Sequence, residues 1–283
     1  MHKRTRIIIL IIVLCVALIG ELYVLVLSGS KNDDRNKESP QTVTEEQSQE
    51  KEGSSDMPEE QISDDKAVSY VPDIKRSSSS TKWESDISKI EYRYGEDLPK
   101  GKVIFYGSSS IRKWKTLEED MSGLEVLNHG FGGAKTSDCL YYSDRMIIPF
   151  EPAAVVYYAG TNDIGKGRTV EDTYTDTIDF IAYVHHELPE TQIYYISQTQ
   201  QPDRAGRWAE MQELNNRVRD YSLGDRRVTY IDTTKKLNRE DGSYRGELFL
   251  DDGLHFNSLG YEEWTAIIRP VLYSDLLEEP AAN

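Results

Sequence analysis

Cysteine is nearly absent from this chain: of two in 283 residues, Cys15 falls in an apolar run near the N-terminus and Cys139 stands alone in the remainder. No intramolecular disulfide can staple the main body. It must be held by a buried core, for which about 200 residues are sufficient. Positive charge is also short, with 33 Lys and Arg against 49 Asp and Glu and a formal net charge of −16. Setting aside −6 for residues 29–81 and +2 for residues 1–28 leaves −12 for the rest. A surface that acidic argues against nucleic acid as a partner and gives no overall capture of anionic polymers; solubility is its ordinary consequence. No internal repeat is visible.

The N-terminus has what the rest lacks. Lys3, Arg4 and Arg6 precede an apolar run from Ile7 to about Leu27, broken by Gly20 and Glu21. Roughly 20 apolar residues span a bilayer, and basic residues abutting the start favour an N-terminus in the cytoplasm. Lys31, Arg35 and Lys37 beyond the far end make that bias mild. The expected layout is a cytoplasmic tail at 1–6, a single-pass cell-membrane anchor at 7–28, and everything else outside the cytoplasm. The alternative is a cleaved signal peptide ending at Ser28-Gly29-Ser30, against which stands the length of the run. Leu14-Cys15 lacks the small residue expected before a lipid-modified cysteine. Residues 29–81 carry 13 acidic and 7 basic side chains and few aliphatic ones. Such a stretch cannot bury enough apolar surface to offset its ordering entropy, so a disordered acidic linker is expected there. The folded domain is expected over 82–283.

In that domain short apolar strands are predicted at Val103–Tyr106, Leu124–Leu127, Ala153–Tyr158, Gln192–Ile196 and Val228–Ile231. Helical periodicity separates them. Val170, Tyr174, Ile178, Ile181 and Leu188 form one stripe, and Trp208, Met211, Leu214, Val218 and Tyr221 a cleaner one. A last helix opens with Tyr261, Trp264, Ile267 and Ile268, and Pro270 is expected to interrupt it. Strands alternating with helices imply an α/β fold with a mostly parallel sheet covered on both faces.

In such a sheet the loops that follow the strands share one edge, where open α/β folds place their ligands. Four of these loops carry chemistry: Gly107-Ser108-Ser109-Ser110, Asn128 to Gly133, Gly160-Thr161-Asn162-Asp163, and Asp251 to Phe256 before the last helix. Read alone, Gly-Ser clusters are ordinary turns. A serine hydroxyl becomes a nucleophile only when a base takes its proton, which an imidazole held by a carboxylate does near neutral pH. His185 and His186 end a helix and read as solvated or helix-terminal, and His129 reads as locally packed. His255 has Asp252 three residues before it, a spacing that lets one turn aim both side chains together. An oxyanion needs preorganised donors. Gly133, in a Gly-rich loop, and the Asn162 amide fit that task, although a steric turn and a helix cap are their ordinary readings.

These blocks, in this order, resemble the SGNH (GDSL-type) hydrolase family over roughly 102–272. Ser109 falls on the family nucleophile, Gly133 and Asn162 on the oxyanion-hole positions, and Asp252 and His255 on the carboxylate and base. The first block departs from the common Gly-Asp-Ser in having Ser108 at the Asp position, with Ser108 and Ser110 left to supporting roles. The resemblance implies a flavodoxin-like α/β/α sandwich, a five-stranded parallel sheet in the order 2-1-3-4-5, and a Ser-His-Asp esterase mechanism without cofactor or metal. In it the Ser109 N–H joins Gly133 and Asn162 in the oxyanion hole.

No long apolar lid follows residue 28, which argues against a long-chain lipase. An enzyme on a flexible tether can sweep the membrane-proximal envelope, and the expected substrate is a short-chain, acetyl ester on a carbohydrate or cell-envelope glycan. Arg112, Arg204 and Trp208 lie where they can border the site, with core packing the first reading of Trp208. A lysophospholipase or thioesterase, acyl transfer to a glycan, and a non-catalytic glycan-binding envelope protein are the alternatives. Oligomeric state is not legible.

Overall fold

The computed structural model describes residues 71–76 and 78–277. The tail and anchor expectations and nearly all of the linker lie outside the described residues. Among the described residues no helix is long and apolar enough to cross a membrane.

The elements run in chain order α1 (Glu84–Tyr94), β1 (Val103–Gly107), α2 (Ser109–Lys113), α3 (Leu117–Asp120), β2 (Val126–Gly130), α4 (Thr136–Met146), β3 (Ala154–Tyr158), α5 (Thr161–Gly165), α6 (Val170–Glu187), β4 (Gln192–Ile196), α7 (Trp208–Ser222), β5 (Val228–Ile231), α8 (Thr234–Leu237) and α9 (Ser258–Leu276). The strands form one parallel sheet in the order β2-β1-β3-β4-β5. This is the predicted flavodoxin-like sandwich.

Side-chain alternation builds the two outer layers. Ile104, Tyr106, Val155, Tyr157, Ile193 and Tyr195 point to one face, where Ile87, Ile90, Leu140, Tyr142, Phe180, Val184, Leu214 and Val218 cover them. Val103, Phe105, Val156, Tyr158, Tyr194 and Ile196 point to the other, beneath Ile111, Trp114, Leu117, Trp264, Ile268 and Leu272. The period of two in strands that are apolar on both faces is what a doubly covered parallel sheet requires. Cys139 is a buried free thiol in the first layer.

Three expectations are corrected. β2 lies at Val126–Gly130 rather than Leu124–Leu127. Its polar half is accommodated because Asn128 Nδ2 donates to the Ile111 carbonyl and both ring nitrogens of His129 are bonded. α9 continues through Pro270. The lost donor and ring clash cost roughly 3 kcal/mol, but Trp264, Ile268 and Leu272 are fully buried on both sides of the proline and hold the helix in place.

The third concerns residues 71–76, which fall at the end of the expected linker and are described. Ile74 packs against the core, Lys75 Nζ donates to the Tyr141 carbonyl at 2.7 Å, and Arg76 pairs with Asp176 and Asp179 of α6. Residues 71–76 thus form a strap laid across α4 and α6.

Candidate active site

β1 ends at Gly107, whose φ of +139° and contact with the Tyr158 carbonyl leave no room for a side chain. A Cβ built there would lie 2.0 Å from that oxygen. This crossing lets Ser108 N–H donate to Tyr158 O at 3.0 Å and turns the chain sharply into α2. Ser109 is the first residue of α2 and is nearly buried, 8% exposed. From α9 the Tyr261 hydroxyl donates to Ser110 O at 2.8 Å and fixes the helix beneath it.

The opposite wall is a tight hairpin between β5 and α9, closed by a Phe249–Phe256 bridge and by Leu250 N–H donating to His255 O. Within it Asp252 Oδ1 accepts the N–H groups of Leu254 and His255, each at 2.9 Å. Its Oδ2 lies 2.6 Å from His255 Nδ1, and His255 Nε2 lies 2.9 Å from Ser109 Oγ. A carboxylate only accepts, so Nδ1 carries the ring proton and Nε2 is left to accept from the serine hydroxyl. Partial burial opposes the charge of Asp252. The bonds from the His255 ring and the His255 and Leu254 amides outweigh it and hold the carboxyl well below the usual range.

Asn162 sits in the first turn of α5, 6% exposed. Its Nδ2 donates to the Ala134 carbonyl at 2.9 Å and its Oδ1 accepts from Arg204 Nη2 at 3.2 Å. Two one-way partners fix the amide orientation and leave one N–H unspent. Gly133, with φ of +75°, precedes Ala134 in the facing loop.

Asp163, fully buried behind Asn162, anchors that loop. It accepts Thr136 N–H at 3.0 Å and Thr136 Oγ1–H at 2.9 Å, and pairs with Arg168 at 2.8 Å. Burial pushes its carboxyl up to about 6, against the pull of Arg168 and Thr136. Arg168 also pairs with Asp176, which Arg76 of the strap holds from the other side.

Ser109, Asp252 and His255 are thus in one bonded chain, with Asn162 and Gly133 held to each other's loops across the sheet edge. The other histidines lie elsewhere. His129 is buried in β2, donating from Nδ1 to Met146 O at 2.8 Å while Nε2 accepts from the Tyr94 hydroxyl at 3.1 Å. Burial brings its pKa down to about 4, with the Met146 carbonyl acting the other way. His185 ends α6 buried, 3.5 Å from Asp225, and is not solvated. His186 is beside it, 40% exposed.

Of the bordering residues, Arg204 reaches the site through Asn162 and the Thr161 carbonyl. Its loop is tied to the Asp-His hairpin by Asp203 N–H donating to Gly253 O at 3.0 Å. Arg112 lies against Gly132, and Trp208 packs on the core. Two contributors were missed. Asp163 was visible as the last residue of its Gly-Thr-Asn-Asp block. Trp83, whose ring edge lies 3.3 Å from where a Cβ on Gly133 would be, left no local signal.

A parallel sheet in this order, with its polar loops gathered on one edge, defines a flavodoxin-like α/β protein whose site lies at the carboxyl ends of the strands. The family model of the GDSL-like lipases/acylhydrolases matches residues 94–263, and the chain belongs to that family of ester hydrolases. No curated protein matches the chain. Solved structures with the fold include a Streptococcus pneumonia protein assigned as a platelet activating factor, at TM-score 0.62 and 20% identity over 68% of this chain and 94% of that one. A Bacteroides fragilis protein assigned as an acylhydrolase gives 0.61 and 19% over 68% and 98%. A carbohydrate esterase family 3 structure from Talaromyces cellulolyticus gives 0.51 and 18% over 64% and 100%.

Proposed function

We propose that the domain is a serine esterase that removes short acyl groups, acetyl foremost, from a carbohydrate or cell-envelope glycan. The observation that carries this reading is the bonded chain from Asp252 through His255 to Ser109 Oγ at 2.6 and 2.9 Å. Ser109 Oγ attacks the ester carbonyl carbon while His255 Nε2 takes its proton. The imidazolium formed is stabilised by the ionised Asp252. The Ser109 N–H, the Gly133 N–H and the unspent Asn162 N–H face the developing oxyanion. His255 then gives its proton to the departing alkoxide, leaving an acyl-serine. A water that surrenders its proton to His255 hydrolyses that ester and restores Ser109.

The preference for a short acyl group on a polar carrier is supported by the surface. The large apolar side chains exposed among the described residues are Val71, Tyr92, Leu223, Leu250, Leu259 and Leu277. They are spread along the chain from residue 71 to residue 277 rather than gathered in one run, whereas docking on lipid takes a contiguous apolar patch. The N-terminal run at 7–28 and the acidic stretch after it support a domain tethered outside the cell membrane, with the tether ending near residue 70. The test is acetate release from a panel of O-acetylated glycans, alongside aryl esters of increasing chain length. Preferential release of acetate supports the reading, and a clear preference for long acyl chains overturns it.

A further inference from the structure

The domain is acidic, yet four cations belong to the segments that carry Gly133 and Asn162 or pack against them. Lys82 and Trp83 come from the turn that follows the strap, ahead of the residues the family model matches. Lys82 Nζ lies 4.4 Å from the centroid of the Trp83 ring, and that ring stands over Gly133 and edge-on to Phe131. Lys135 follows Ala134, whose carbonyl holds Asn162. Lys166 follows α5, the helix that carries Asn162. Arg204 holds the Asn162 oxygen.

These cations feel one another. Burial lowers the pKa of Lys166, and the charges of Lys82, Lys135 and Arg204 lower it further, with Asp138 acting the other way. Asp203, 3.8 Å from Arg204, is the nearby acidic partner of that residue and is itself more than half exposed. Lys82, Lys135 and Lys166 form no ion pair among the described residues. Lysines that repel one another, with Asp138 the opposing charge near Lys166, concentrate positive potential on these segments. Trp83, half-buried with Lys82 over its ring, adds an aromatic surface of about the size of a sugar ring.

We propose that these segments form a subsite for an anionic sugar, and that the acetyl ester cleaved sits on a carboxylate-bearing glycan residue. The sugar ring lies against Trp83, and its carboxylate faces Lys82, Lys135, Lys166 and Arg204. This deepens the esterase reading and rests on it. It also reverses the expectation from net charge: the chain as a whole repels anionic polymers, while the site attracts them locally.

The test compares two small esters that differ in one group, methyl O-acetyl-glucoside and methyl O-acetyl-glucuronoside, on the full chain, with 4-nitrophenyl acetate as the measure of basal activity. At low salt kcat/KM for the glucuronoside should exceed that for the glucoside about tenfold, as focused charge predicts. The ratio should fall toward one between about 0.02 M and about 0.5 M NaCl. It should fall likewise in the Lys135→Ala/Lys166→Ala variant, and it should invert in Lys135→Glu/Lys166→Glu. Equal rates on the two sugars at low salt, with 4-nitrophenyl acetate hydrolysed normally, overturn the subsite and leave the esterase standing. Acyl release from phosphatidylglycerol vesicles without a preference between the sugars overturns it in favour of an anionic lipid. Failure on all three esters overturns the esterase reading and the subsite with it.

Discussion

Two aspartates hold the two halves of the site, and they are opposite in character. Asp252 lies in a surface hairpin, 44% exposed, with both oxygens occupied by donors from its own turn, and its carboxyl is held far below the usual range. Asp163 is fully buried between two helix N-termini, with a long-range partner set of Thr136 and Arg168, and its carboxyl is pushed up to about 6. Donors dominate in the first case and desolvation in the second. In the proposed reaction Asp252 orients His255 at little structural cost, whereas Asp163 holds the Thr136 end of the Gly133 loop in place at a cost in buried charge. Chemistry sits on a local turn, and its support sits in the core.

Mutation separates the roles of the two aspartates. Asp252→Ala should lower kcat for an aryl acetate on the order of a thousandfold or more, by releasing His255 from its tautomer, with a melting temperature close to wild type. A large fall in melting temperature would show that the hairpin needs the carboxylate to fold. Asp163→Ala should do the reverse. Leaving Arg168 and the Thr136 N–H without their partner should cost about 3 kcal/mol or more of stability in chemical unfolding. Activity should be lost mainly through the unfolded fraction.

Buried groups also set how stability depends on pH. His129, buried neutral with its pKa lowered to about 4, contributes stability present above about pH 6.5 and lost as pH falls through 4, on the order of 3 kcal/mol in all. Asp163, raised to about 6, has the opposite sign: its contribution is full below about pH 4 and is lost as pH rises to 6. The two oppose each other over the same window. In Asp163→Asn the unfolding free energy should therefore rise more steeply between pH 4 and 6 than in wild type, and an unchanged slope would show that Asp163 does not titrate there. The smallest effect expected is at Arg204, which in the proposed reaction acts through its bond to Asn162. Arg204→Met should lower kcat for a neutral aryl acetate about tenfold with KM little changed, and Arg204→Lys should restore part of it. A change in KM alone would assign the residue to substrate contact.

The fold was legible because its signals are local. The apolar strands Gln192–Ile196 and Val228–Ile231 and the helical stripe from Trp208 follow from periodicity, and their alternation implies the sheet. β2 was misplaced because Asn128 and His129 read as polar loop, while distant carbonyls and the Tyr94 hydroxyl satisfy them inside the sheet. Pro270 was overweighted because its local penalty is visible in sequence and the burial of Trp264 and Leu272 is not. At the site, the juxtaposition of Asp252 and His255 was legible as a three-residue spacing. Trp83 was not, since its place over Gly133 depends on a strap anchored some hundred residues away in sequence, at Asp176 and Asp179.

A nucleophilic Ser109 would react covalently with a phosphonylating reagent. A fluorophosphonate added to the folded protein should label it once, with the adduct mapped by mass spectrometry to Ser109. Ser109→Ala should abolish both labelling and aryl acetate hydrolysis. Labelling at Ser108 or Ser110, or full activity in Ser109→Ala, would contradict the account.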